Sequence, residues 1–234
     1  MQCSLYGKVP AKRDFIAIGA PREFLNTWEP WLQGAISASR TTLGDKWQPA
    51  FLTAPIWRFW LGADICGRSV MGAFMSSLDG VGRYFPLTLF ACADDNATIP
   101  PPEFTSQDDW FDAAETFLMS TLDHDTNFEA VTAALAALPP PFQELQEDLA
   151  PGSAGDRNDQ EAFAQALLPA RGQSFSEVFN SIRVRDYAKI YAGSTFWWTV
   201  GGEGIAAIAL SGKGMPNPFL FAIMLTGEFA AAPA

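Results

Sequence analysis

Residues 85–92, FPLTLFAC, make an apolar run broken by one hydroxyl, with no alternation of polar and apolar side chains. A strand of that pattern suits a central position covered on both faces, so packing layers are needed above and below its sheet. Pro86 then has to sit at the first register positions, where its missing donor costs least. IWRFWL at 56–61 and SVMGAFMS at 69–76 read as further strands, joined by a turn containing Gly62, Cys66 and Gly67. The DGVG sequence from Asp79 to Gly82 is a strong turn signal ahead of the apolar run.

The remaining elements follow from the same rules. A first strand is expected within residues 1–8, ending at Gly7, and then a charged loop over 10–19. Residues 22–42 carry a helical apolar stripe at Phe24, Leu25, Trp28, Trp31, Leu32, Ala35 and Ile36, with Pro21 at the start and Gly44 at the stop. Pro30 should kink or divide that helix near Glu29. DDWFDAAETFLMSTL reads as a helix capped by Asp108 or Asp109, and NFEAVTAALAAL as a second, capped by Asn127. Short helices are expected at 159–168 and about 175–188, with 150–159 as a protease-sensitive loop. FWWTV at 196–200, GIAAIAL at 204–210 and FLFAIML at 219–225 read as strands, the first two joined by a hairpin at Gly201-Gly202. The expected fold is α/β: a mixed sheet built from N- and C-terminal segments and covered by helices in a layered sandwich. One domain over 1–234 is expected, with an acidic helical middle at about 103–170; a break near 93–102 is the alternative boundary.

Charge is unevenly spread along the chain. The net charge of −11 is concentrated in residues 94–161, where sixteen acidic side chains face one basic one. Such a surface argues against nucleic acid, which needs cations to displace its counterions, and against an anionic membrane. It suits a solvated helical face or a surface that meets a basic partner. The longest apolar run at the end, PFLFAIML, is far too short to span a bilayer. The opening residues lack the pattern of a secretory signal, so a cytoplasmic location is expected.

Nothing in the residues assembles a catalytic centre. His124 is the only histidine, which removes any two-histidine metal site, and it is expected at the surface or in a capping role. Cys3, Cys66 and Cys92 lack metal-ligand spacing and read as buried small hydrophobes. No nucleophile elbow is present, and GGEG and SGKG, at 201–204 and 211–214, do not make a phosphate loop. No cofactor and no metal are therefore expected.

The charged residues set among aromatics carry more information. Arg13, Asp14, Asp79 and Arg83 can form a network that locks the N-terminal loop against the 79–84 turn. Exposed, the same residues would serve a partner. Arg58 should lie on the strand face opposite Trp57 and Phe59, where it can stack on a ring or pair with an acid. Trp197 and Trp198 must point opposite ways if extended, one into the core and the other toward a helix or protein interface.

YGKVPAKRDFI at 6–16, PREFLNTWEPWLQ at 21–33, APIWRFWLGADICG at 54–67, SSLDGVGRYFPLTL at 76–89 and FWWT at 196–199 together resemble the TagF/ImpM family of type VI secretion-associated proteins. Ser77 stands where that family commonly has proline. The resemblance marks Lys8, Arg13, Asp14, Trp57, Arg58, Asp79, Arg83, Tyr84 and Trp198 as a motif core, either structural or partner-binding, and supplies no catalytic residues. It implies a bacterial cytoplasmic protein that restrains type VI secretion after translation, without enzymatic activity, by binding the forkhead-associated scaffold protein of the apparatus. A homodimer stays open. The alternatives are a structural component of the apparatus, or an anion-binding enzyme whose pocket gathers Lys8, Arg13, Asp14, Asp79 and Arg83.

Overall fold

A computed structural model describes residues 2–123, 125–145 and 174–229. His124, the expected helix at 159–168 and the expected loop at 150–159 lie outside the described residues. In chain order the elements are strands β1 (Cys3–Gly7) and β2 (Ile16–Ile18), helices α1 (Arg22–Leu43) and α2 (Trp47–Leu52), and strand β3 (Trp57–Leu61). Helix α3 (Ala63–Cys66), strands β4 (Val70–Met75), β5 (Leu87–Cys92) and β6 (Ala97–Thr98), and helices α4 (Asp108–Ser120) and α5 (Phe128–Ala137) follow. The chain then forms β7 (Glu144–Leu145), α6 (Phe175–Ile190), β8 (Ser194–Thr199), β9 (Ile208–Lys213) and α7 (Leu220–Thr226).

Seven strands join in the order β2-β1-β5-β4-β3-β8-β9, so the sheet collects both ends of the chain as expected. The α/β architecture is therefore present, although every described pairing is antiparallel where a mixture of directions was expected. β5 lies third from one edge, and its apolar run fills two layers at once. Phe90 joins Trp28, Phe59, Phe74 and Trp197 in a core under α1, α2 and α7. Leu87, Leu89 and Ala91 join Met71, Phe111 and Leu118 in a second core under α4 and α5. β6 and β7 form a separate two-stranded sheet that the sequence did not signal.

Several elements differ from expectation for identifiable reasons. α1 runs unbroken through Pro30, which sits on its exposed side while Trp28, Trp31, Leu32 and Ala35 are buried opposite. Burial of that stripe outweighs the lost hydrogen bond. Residues 16–18, expected within a loop, pair with β1 from Leu5↔Ile18 to Gly7↔Ile16. α4 takes Gln107 as its cap, leaving Asp108 and Asp109 in the first turn, where their charge complements the helix dipole. Asn127 does cap α5, its side chain accepting from the Ala130 N–H at 2.8 Å.

The largest correction is FLFAIML, expected as a strand and found as α7. The Asn217 side chain accepts from the Phe219 N–H at 3.0 Å, and Gly227 closes the helix in the left-handed region at φ 71°. Phe221, Ala222, Met224 and Leu225 face the core, a helical rather than alternating spacing. The hairpin after β8 exists, but its second strand starts at Ile208 instead of residue 204 because Gly202 and Ile205 pair within the loop. Among the described residues, no helix is long and apolar enough to cross a membrane.

Candidate functional site

Gly7 ends β1 with φ +131°, and a Cβ there would lie 2.1 Å from the Pro86 carbonyl oxygen. That close approach brings Lys8 beside the turn between β4 and β5. Asp79 organises the turn: its Oδ1 accepts the Val81 N–H at 3.1 Å and the Arg83 N–H at 2.9 Å. Its Oδ2 accepts Arg83 Nε at 2.7 Å and pairs with Lys8 Nζ at 3.0 Å. The Asp79 side chain is fully buried and that of Lys8 is 7% exposed. Burial by itself would raise the Asp79 pKa, but these four donors outweigh it and hold the carboxyl well below the usual range.

The same turn fastens the N-terminal loop. The Gly80 N–H donates to the Lys12 carbonyl at 2.7 Å, and Arg83 Nη2 donates to the Arg13 carbonyl. Arg13 thus contributes backbone, and its guanidinium makes no ion pair among the described residues. Asp14 is 96% exposed and only reaches the edge of the network, 4.0 Å from Arg83. Phe15 caps the assembly, with Lys8 Nζ 4.9 Å from its ring and Phe85 edge-on at 4.7 Å. Tyr84 takes a hydrogen bond from Gln48 of α2 at 2.8 Å and packs against Trp47 and Phe51.

Arg58 belongs to a different cluster, across the sheet. It is 5% exposed and meets Glu115 at 2.5 Å, Asp112 at 3.0 Å and Asp108 at 3.7 Å, all from α4. Its guanidinium lies 5.1 Å from the Phe111 ring, and Trp198, its cross-strand neighbour, packs edge-on against Phe111 at 4.9 Å. Trp57 points the other way, buried, with its indole N–H donating to the Met224 carbonyl at 3.0 Å. The motif residues therefore divide into a seam at Asp79, a strand-to-helix tie at Arg58 and a core anchor at Trp57. The partners of Arg58 were missed, yet their spacing at 108, 112 and 115 already put them on one helix face.

Most of the tryptophans face inward: Trp28, Trp31, Trp47, Trp57, Trp60, Trp110 and Trp197 are all buried, while Phe15, Phe142, Phe175, Phe179 and Phe219 are exposed. Cys66 is buried, whereas Cys3 and Cys92 are only partly so, which corrects the expectation of three buried thiols. Desolvation still pushes the Cys66 thiol up to about 11 and that of Cys92 to about 12. Among the described residues, no group of three or more His, Cys, Asp and Glu side chains is placed to hold a metal. Beside the Asp79 seam lies a surface groove of about 420 Å³, lined by Gln33, Ile36, Ser37, Arg40, Thr41, Tyr84 and Phe85.

Residues 4–138 match the family model described as the TagF N-terminal domain, type VI secretion system-associated. The chain belongs to the TagF family. It is similar throughout to the crystal structure of PA0076 from Pseudomonas aeruginosa PAO1, with 31% identity and a TM-score of 0.78. That likeness covers 100% of this chain and 98% of the other. No curated protein sequence matches. The family match takes in the whole Asp79 seam and Arg58 with its three carboxylates on α4, though not Trp198, and places the protein in association with type VI secretion.

Proposed function

We propose that the protein is a non-enzymatic, post-translational negative regulator of type VI secretion that binds and sequesters the forkhead-associated scaffold protein of the apparatus in the cytoplasm. The observation that carries a binding role is the state of Asp79. Its two oxygens are taken up by Lys8, Arg83 and two backbone N–H groups, so the carboxylate acts as a brace. A general base needs a free lone pair in reach of substrate, and a carboxylate so bound and so acidic is a poor one. The anion-binding alternative fares no better at this site, because Asp79 already neutralises Lys8 at 3.0 Å.

The brace sets two loops in one arrangement and presents Phe15, Val81 and Arg83 at the surface, each more than half exposed. Pre-organised loops bind with a smaller ordering cost, and a preference of a few kcal/mol for one state of the scaffold is enough to shift its population. Calorimetric titration of the purified protein with the purified scaffold, at two salt concentrations, tests the reading. Saturable one-to-one binding is expected. A flat titration with both proteins folded would rule out direct sequestration. Stable incorporation into the assembled apparatus would favour a structural component instead.

A further inference from the structure

The groove beside the Asp79 seam combines an apolar base with a polar wall. Ile36 and Phe85, 8% and 7% exposed, lie along its floor. Gln33, Ser37 and Thr41 recur at four-residue spacing along one wall, on a single exposed face of α1. Past Phe85 the apolar surface continues outward to Phe15, 52% exposed and in edge contact with Phe85 at 4.7 Å.

The charge around this groove opposes that of the molecule. Arg40 lines it, the Arg83 side chain is 59% exposed, and Arg13 is exposed on the adjoining loop. Of the nearby carboxylates, Glu29 accepts from Gln33 Nε2 at 2.9 Å and raises the Tyr6 pKa alongside burial, while Asp14 stays in solvent near Arg83. Across the sheet, α4 and α5 belong to the segment that holds the excess negative charge. A basic partner segment would be drawn to that side, and an acidic one to the groove.

We propose that the groove between α1 and the 84–85 segment docks an extended stretch of the scaffold in which acidic residues flank an aromatic or branched apolar anchor. The anchor lies on Ile36 and Phe85, and the flanking carboxylates meet Arg40 and Arg13, since Arg83 is already paired with Asp79 at 2.7 Å. This rests on the sequestration reading and names its surface. Arg83 also braces Asp79, so the test uses Arg13 and Arg40, with Ser37→Trp to fill the groove; the Arg40 guanidinium lies 4.3 Å over the Trp47 ring, so the double reversal is read only with its melting temperature matched to the wild type's. The Arg13 guanidinium supports no described contact of the fold, which makes Arg13→Glu the variant whose folding is safest.

Dissociation constants for the purified scaffold are measured for the wild type, Arg13→Glu, Arg13→Glu/Arg40→Glu, Ser37→Trp and, as a charge control on β9, Lys213→Glu. The expected result is a rise of about tenfold or more in Kd for the double reversal and for Ser37→Trp, a smaller rise for Arg13→Glu, and no change for Lys213→Glu. Wild-type affinity in all the groove variants overturns the groove and leaves sequestration standing. Should the scaffold not bind the wild type, sequestration fails, and a second probe decides on the groove. That probe is a fluorescein-labelled peptide of glutamates interleaved with leucine and phenylalanine. Its saturable capture by the wild type, lost on Arg13→Glu and absent for a lysine-substituted counterpart, supports an acidic-apolar docking site; no saturable capture overturns it. Arginine-dependent sedimentation with vesicles of mixed zwitterionic and anionic lipid, without peptide capture, also overturns it.

Discussion

Asp79 shows how one carboxylate can be worth more than the rest of the surface charge. Asp79→Ala removes the acceptor for two backbone N–H groups and leaves Lys8 buried without its partner. A loss of about 3–5 kcal/mol is expected in urea unfolding. Asp79→Asn should also lose stability at neutral pH. Because the folded carboxyl titrates below the unfolded value of about 3.9, the native contribution is complete above that value and fades as the pH falls below it. The stability gap between the wild type and Asp79→Asn should therefore narrow from about pH 5 downward; a gap independent of pH would show that Asp79 is not ionised in the fold. Asp14, by contrast, is expected to be replaceable by Ala with no change in melting. Two buried indoles make a second comparison. Trp28 donates to Thr88 Oγ1 at 3.1 Å, whereas the Trp197 N–H has no hydrogen-bond partner among the described residues. Trp28→Phe should cost about 1 kcal/mol more than Trp197→Phe in the same unfolding measurement.

At the scale of elements, α1 carries a proline it does not need. Pro30 is exposed and inside the helix, so Pro30→Ala restores an N–H donor without touching the buried stripe. Stabilisation of about 1–3 kcal/mol is expected by thermal or chemical denaturation. No gain would mean that the helix has relaxed around the ring at little cost. The tie between β3 and α4 behaves differently. Arg58 is buried, but Asp108 and Asp112 remain mostly in water, so screening limits what each pair contributes. Arg58→Lys keeps the charge but loses the planar fork that spans Glu115 and Asp112. It should lower the melting temperature nearly as far as Arg58→Ala. α7 shows why short apolar runs mislead: seven residues suit a strand or two turns of helix, and the decision lay in Asn217 and Gly227 at its ends.

For the whole molecule, the pairing of β3 with β8 is decisive, because it seats the last third of the chain inside the sheet begun by the first. Trp31 and Trp57 reinforce this by donating to the carbonyls of Pro216 and Met224, far along the chain. One cooperative transition is therefore expected, with coincident curves from tryptophan fluorescence and far-ultraviolet dichroism; two separated transitions would divide the chain into independent units. Much of this was legible in residue order. The unalternating run at 85–92 required helices on both sides of the sheet, and the acidic bias of residues 94–161 located the negative surface, because burial and charge belong to side chains individually. The positions of DGVG and of Asn127 marked a turn and a cap through local backbone chemistry. Pairings across long separations were not legible: residues 16–18 became a strand only because β1 offers an open edge, and Pro30 survives only because α1 has a core to bury against. The motif residues read as one group in the sequence, yet alternation along β3 sends Trp57 and Arg58 to opposite faces. Which charges would be braced and which left free depended on distances set by the assembled sheet. Hydrogen bonds require donor and acceptor within about 3 Å, and ion pairs weaken with distance and screening, so only the tertiary structure brings such groups close enough.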